Sequence, residues 1–178
     1  MCAFDPGANG AGLAVGAALY VSKGEDYVTK LYKGQNVILS RDYKQLADWV
    51  AHGSYPIGIA VSANYLADYV KAGLTFDFVD MPDAPNSVGG GFGIVVVLNR
   101  APHPNAARVF ANWMASKEGM ALYSETQVQA PVRNDISATW MPDRLIPKAG
   151  KKYVDTYEYN FATGPRLRIR EFYTKLLR

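Results

Sequence analysis

Through the first half of the chain, apolar positions alternate between helical spacing and short unbroken runs. Leu13, Gly16, Ala17, Tyr20 and Val21 recur at the spacing of one helix face. A second helical stretch, Tyr27 to Tyr32, stops at Gly34, which suits a C′ glycine. Val37-Ile38-Leu39 then reads as a buried strand. Asp42 is placed to cap a helix carrying Leu46, Trp49 and Val50 that ends near Gly53. Ile57 to Val61 reads as a second strand. Ser62 is placed to cap the next helix, with Leu66, Tyr69 and Val70 inward and Gly73 at its end, and Leu74 to Val79 reads as a third strand. Strands and helices alternating across short connections predict an α/β fold: a parallel sheet with right-handed crossovers. Apolar runs without polar alternation predict strands covered on both faces.

The rhythm breaks between Met81 and Gly91, where Pro82, Pro85, Asn86 and Gly89-Gly90-Gly91 mark a loop or hinge. Gly93 to Leu98 reads as another buried strand. Pro104 suits the first turn of a helix running through Trp113, and a further helix covers Met120 to Glu125. After Pro131 the periodicity weakens until a terminal helix from about Arg168, with Ile169, Phe172, Tyr173 and Leu176 on one side. The sequence has no internal repeat.

Composition narrows the class. The 178 residues are 49% hydrophobic and 20% charged, which is ordinary globular usage. No uncharged apolar run reaches the roughly 18 residues of a membrane-spanning helix. Met1-Cys2-Ala3-Phe4-Asp5-Pro6 lacks the basic start and apolar core of a secretory signal. A single cysteine excludes an internal disulfide, and Cys2 has no basic neighbour in sequence to activate it as a nucleophile. The net charge of +3 sits late, at Lys148, Lys151, Lys152, Arg166, Arg168, Arg170, Lys175 and Arg178. On an amphipathic terminal helix this reads as a solvated face, with no nucleic-acid partner.

Three segments carry candidate chemistry. Asp5-Pro6-Gly7-Ala8-Asn9-Gly10-Ala11-Gly12 is a glycine-rich turn before a helix, where unpaired N–H groups suit an anion. Ala8, Asn9 and Gly10 are the candidate contacts, against a purely structural turn. No Lys-Ser/Thr pair follows, so it is not a P-loop, and the spacing fails the dinucleotide fingerprint. Ser40 and Arg41 follow a strand, at the edge where parallel sheets bind ligands. Arg41 suits a carboxylate or phosphate, or it pairs with Asp42 or Asp48. Ser62, Asn64 and Tyr65 hold the equivalent place after the next strand, against the reading of Ser62 as a cap and Tyr65 as packing. His52 and His103 lack metal-ligand spacing and read as structural. No Gly-x-Ser-x-Gly elbow or other nucleophile–base pair is present.

Residues 98–120, LNRAPHPNAARVFANWMASKEGM, resemble a signature of ABC-transporter solute-binding proteins of the type II periplasmic class, in the branch of the ferric-iron binders. Asp5-Pro6 with its Gly-rich helix start, Gln45 to Val50, Gly53 and Tyr55 to Ser62 are similar to that family's second lobe. Gly89 to Leu98 is similar to the crossing back to the first lobe. The resemblance implies a periplasmic-binding-protein-like II fold, in which 1–90 form a mostly complete lobe two and 91–178 supply partial return elements of lobe one. It implies the C-terminal portion of a longer, extracytoplasmic parent with no catalysis and no cofactor. Such a parent binds a small anionic solute or ferric iron in an interlobe cleft, closes about a hinge at Gly89–Gly93, and delivers its cargo to an ABC permease. In ferric relatives a tyrosine pair supplies phenolates. Here Leu66 follows Tyr65, so a metal role rests on Tyr65 alone and an anionic solute is preferred. Residues 94–178 are expected to leave an apolar face that self-association of the fragment would bury. The alternative is a small α/β enzyme or ligand-sensing domain that uses the Gly7–Gly12 helix start for a phosphorylated ligand.

Overall fold

The computed structural model describes residues 1–79, 81, 83, 86–88, 95–141, 143 and 146–178. The chain divides into two compact units, Met1–Gly89 with Lys152–Arg178, and Gly90–Lys151. The last 27 residues thus group with the first unit, across the expected division into 1–90 and 91–178.

The first unit is built on a parallel sheet in the order β2 (Ile38–Ser40), β1 (Cys2–Phe4), β3 (Gly58–Ile59). In register, Cys2 lies opposite Ile38 and Gly58, and Ala3 opposite Leu39 and Ile59. Side chains of β1 alternate between faces. Ala3 enters a cluster with Ala17 and Leu19 of α1 (Ala11–Lys23), Val28 of α2 (Glu25–Thr29), Tyr32 of a π-helical turn (Lys30–Gly34), and Ile169 and Tyr173 of α8 (Pro165–Leu176), with Phe161 of the short α7 (Tyr159–Thr163) packed against it. Cys2 and Phe4 enter a second cluster with Leu46 of α3 (Tyr43–Ala51). Helices therefore cover both faces. The chain leaves β1 through α1 toward β2, then leaves β2 through α3 and passes back over β1 to β3. α4 (Ala63–Lys71) follows β3, with Leu66 buried as expected.

Several expected strands are absent or displaced. Residues 74–79 form no strand, and Val79 is 85% exposed. The remaining strand of the sheet is Cys2–Phe4, at its centre. In the segment read as a loop, Asn86–Val88 forms β4 and pairs in parallel with β5 (Tyr153–Asp155), in a stretch of weak periodicity. Of the strand expected over Gly93–Leu98, residues 95–98 are without strand and exposed, at 43–72%. Gly93 lies outside the described residues, as does the expected hinge at Gly89–Gly93.

In the second unit, α5 (Pro104–Ala115) meets α6 (Lys117–Gln127) at Ser116, which ends one helix and caps the next. Its Oγ donates to Trp113 O at 2.6 Å and accepts from Gly119 N–H at 3.1 Å. This accounts for the Ser-Lys-Glu-Gly turn as a helix corner. α6 is longer than the expected Met120–Glu125. Val109 and Phe110 of α5 are 69% and 56% exposed, in line with the expected apolar exposure.

α1 is clasped between the sheet and α8, and small residues suit it to that place: Gly12, Ala14, Gly16, Ala17 and Ala18 are all buried. The Tyr173 hydroxyl donates to Gly16 O at 2.9 Å, and its ring meets Tyr32 edge to face, 5.4 Å between centroids. Burial pushes the phenol pKa of both tyrosines well above the ordinary value. The Asp5 charge adds to the shift at Tyr32, and the neighbouring phenols Tyr32 and Tyr20 add to it at Tyr173. Folding thus favours the protonated phenols. Their contribution is fully present below about pH 10, the unfolded value, and is lost above it at roughly 1.4 kcal/mol per pH unit per group. In an alkaline titration, part of the tyrosinate absorbance of the twelve tyrosines is expected to appear late, together with loss of the circular dichroism of the fold. Complete ionisation near pH 10 with the dichroism intact would show that these two rings are accessible.

Candidate functional site

All three strands of the β2-β1-β3 sheet point the same way, so the loops that follow them gather at one edge. These loops contain the three segments singled out from sequence. The chain runs from β1 to β2 on one side and then crosses back to β3 on the other, so the strand order reverses at β1, the kind of position where open parallel sheets bind ligands.

After β1, the Asp5 carboxylate organises the glycine-rich turn. Its Oδ1 accepts from Gly7 N–H at 2.7 Å, and its carbonyl accepts from Ala8 N–H at 3.1 Å. Ala8 packs on the Cys2–Phe4–Leu46 cluster, while Asn9 is exposed. Gly10 caps α1 at φ 115°, and a Cβ there would stand 2.4 Å from the Tyr43 hydroxyl. That hydroxyl accepts from Ala11 N–H at 3.1 Å. One orphan donor at the start of α1 is therefore already satisfied by a side chain from the next helix.

After β2, Ser40 is buried and committed locally. Its Oγ donates to Gln45 Oε1 at 2.7 Å and accepts from Asp42 N–H at 3.0 Å. Asp42 caps α3 as expected, accepting from Lys44 N–H and Gln45 N–H at 2.8 and 3.1 Å. Arg41 pairs with neither Asp42 nor Asp48 but with Asp5, Nε donating to Oδ2 at 2.8 Å. The guanidinium side chain is 73% exposed and the Asp5 side chain 14%. Asp5, Leu39, Ser40, Arg41, Asp42 and Gln45 line an open depression at this edge.

After β3, Ser62 stands at the N-cap position of α4, yet its hydroxyl makes no capping bond and donates instead to Asn64 Oδ1 at 2.7 Å. Tyr65 is 42% exposed and stacks on Tyr43, 5.5 Å between centroids and 11° between planes. Tyr43 stacks in turn on Phe4 at 4.2 Å. Each ring comes from a different strand end or helix start, so the stack ties the three loops together.

Ala8–Gly10, Ser40–Arg41 and Ser62–Tyr65 thus share the C-terminal edge of one sheet. Asp5 and Tyr43, which hold those loops to one another, were missed in the sequence. The available signals were slight: Asp5 directly follows the first strand, and Tyr43 directly follows a helix-capping Asp. His52, at the C-cap of α3, has its Nδ1 2.9 Å from Asp48 O, and its ring meets Tyr69 edge to face. Cys2 is buried, and burial pushes its thiol pKa up, the reverse of an activated nucleophile. Among the described residues no group of three or more His, Cys, Asp or Glu side chains gathers to hold a metal, and none of their helices is long and apolar enough to cross a membrane.

The family model for bacterial extracellular solute-binding proteins matches residues 4–121, about two thirds of the chain. No curated protein and no solved structure matches the chain.

Proposed function

Because the chain belongs to the bacterial extracellular solute-binding protein family, we propose that it takes a small anionic solute at the C-terminal edge of its parallel sheet, for delivery to an ABC permease. The family is one of non-enzymatic carriers, so the small-enzyme alternative is overturned. The observation that carries the anionic reading is the gathering of three loop segments along the C-terminal edge of the β2-β1-β3 sheet, with Arg41 the exposed cation among them. A guanidinium suits carboxylate or phosphate oxygens through its paired donors. In this reading Ala8, Asn9 and Gly10 approach the solute from the start of α1. Ser40 and Arg41 approach from β2, and Ser62, Asn64 and Tyr65 from β3. The ferric branch is the weaker case: Tyr43 already accepts a backbone N–H, which leaves Tyr65 as the phenol open to a metal. The lobe assignment to the type II class, hinge closure of a second lobe over this edge, and an extracytoplasmic location belong to the same proposal.

The test is thermal unfolding of the chain with glycerol 3-phosphate, methylphosphonate, succinate, ferric citrate and spermidine. A ligand at about a hundred times its Kd adds roughly 2.7 kcal/mol to stability. One anionic class is expected to raise the midpoint, and Arg41→Ala to remove that shift while leaving the unliganded midpoint unchanged. A response to spermidine with none to the anions overturns the reading, and a response to ferric citrate alone moves it to the iron branch.

A further inference from the structure

Among the contacts that cross between the loops after β1 and β2, the Asp5–Arg41 pair joins two opposite charges, and its geometry is unequal. Asp5 is the fixed partner. Its side chain is 14% exposed, its backbone N–H donates to Ser40 O at 2.9 Å, and its Oδ1 is held by Gly7 N–H. Arg41 is the exposed partner, a long side chain 73% exposed just past the outer strand β2. Its Nε–H is committed to Asp5, whereas among the described residues its terminal nitrogens carry no hydrogen bond. An arginine left to itself at that position gains side-chain entropy by swinging into solvent.

We infer that Asp5 is the positioning residue of the site. Its carboxylate draws the Arg41 guanidinium from the outer strand toward the central strand end and presents the terminal nitrogens outward as a two-pronged donor. This rests on the reading of Arg41 as the anion contact. An acidic residue thus serves a site for anions, where charge alone would not place it. Asp5 neutralises part of the cation, so the selectivity expected is for ligands that take two parallel N–H donors, such as carboxylates and phosphates, over small monoatomic anions.

The test reads the pairing and the binding separately in the full chain. Nitrogen–proton NMR follows the Nε–H of Arg41, identified by its loss in Arg41→Lys. In the wild type this proton is expected to exchange slowly with water. In Asp5→Asn, which keeps the acceptor for Gly7 N–H, exchange is expected to accelerate severalfold. Fast exchange already in the wild type overturns the inference without any variant. Affinity for glycerol 3-phosphate is expected to fall by about three- to fivefold in Asp5→Asn, the range an exposed ion pair supports. The same substitution in an Arg41→Lys background is expected to add little. An equal loss in both backgrounds overturns the positioning role. If no anion binds the wild type, the proposed function fails, and the exchange rates still decide whether Asp5 holds Arg41.

Discussion

Replacing Tyr173 by alanine is expected to destabilise the first unit by about 3–5 kcal/mol, the range for deleting a fully buried aromatic ring. The ring is wholly buried and contacts Tyr32 and Phe172 edge to face, and its hydroxyl ties α8 to the middle of α1. Tyr173→Phe keeps the ring and drops only the hydrogen bond, so a loss of about 1 kcal/mol is expected. Urea unfolding measures both, and hydrogen exchange of the α1 amides locates the effect. A loss under about 1 kcal/mol for the alanine variant would mean that α8 contributes little to the packing of α1.

The second large effect belongs to Gly12. A Cβ there would lie 2.5 Å from Asp5 O and 2.6 Å from Phe4 O. Both are backbone atoms of the central strand and its exit, so no side-chain rotation relieves the overlap. Gly12→Ala must push the start of α1 away from the sheet, at about 3 kcal/mol, the upper part of the range for overpacking. The displacement also reaches the site, because Ala11, which donates to the Tyr43 hydroxyl, adjoins Gly12, and the turn around Gly7 lies just before it. The variant is expected to lose stability and anion response together, whereas Arg41→Ala loses only the response. An unchanged urea midpoint for Gly12→Ala would show that α1 is held less closely than the contacts require.

These two residues also show what the sequence made legible. The helix spacing of Ile169, Phe172, Tyr173 and Leu176 marked the inner face of α8, and Asp42, Gly73 and Pro104 marked helix boundaries correctly. Such signals are local: a cap, a stop or a periodicity is written within a turn or two of chain. Strands of two or three residues leave no such signature. The apolar runs at 74–79 and 95–98 read as buried strands because composition alone does not tell a strand from an extended loop. Cys2–Phe4 is too short to show a strand pattern, although flanking strands on both sides make it the best-covered segment of the sheet. The site was legible as three separate loops following strands or opening helices. The bonds that join those loops, Asp5 to Arg41 and Tyr43 to Ala11, span 36 and 32 positions and leave no mark in local pattern.

The Tyr173–Gly16 bond closes over 157 positions of chain, and that span sets an order of assembly. Closing so long a loop adds little to the equilibrium cost, which grows only with the logarithm of length, but contacts of high sequence separation form late and slow the folding rate. During synthesis the sheet and α1 emerge before α8, with Leu19, Val28 and Tyr32 bare on the side that α8 will cover. That side closes only once α8 has left the ribosome. Until then the nascent chain presents an apolar surface to its surroundings, the kind of intermediate that aggregates or engages a chaperone.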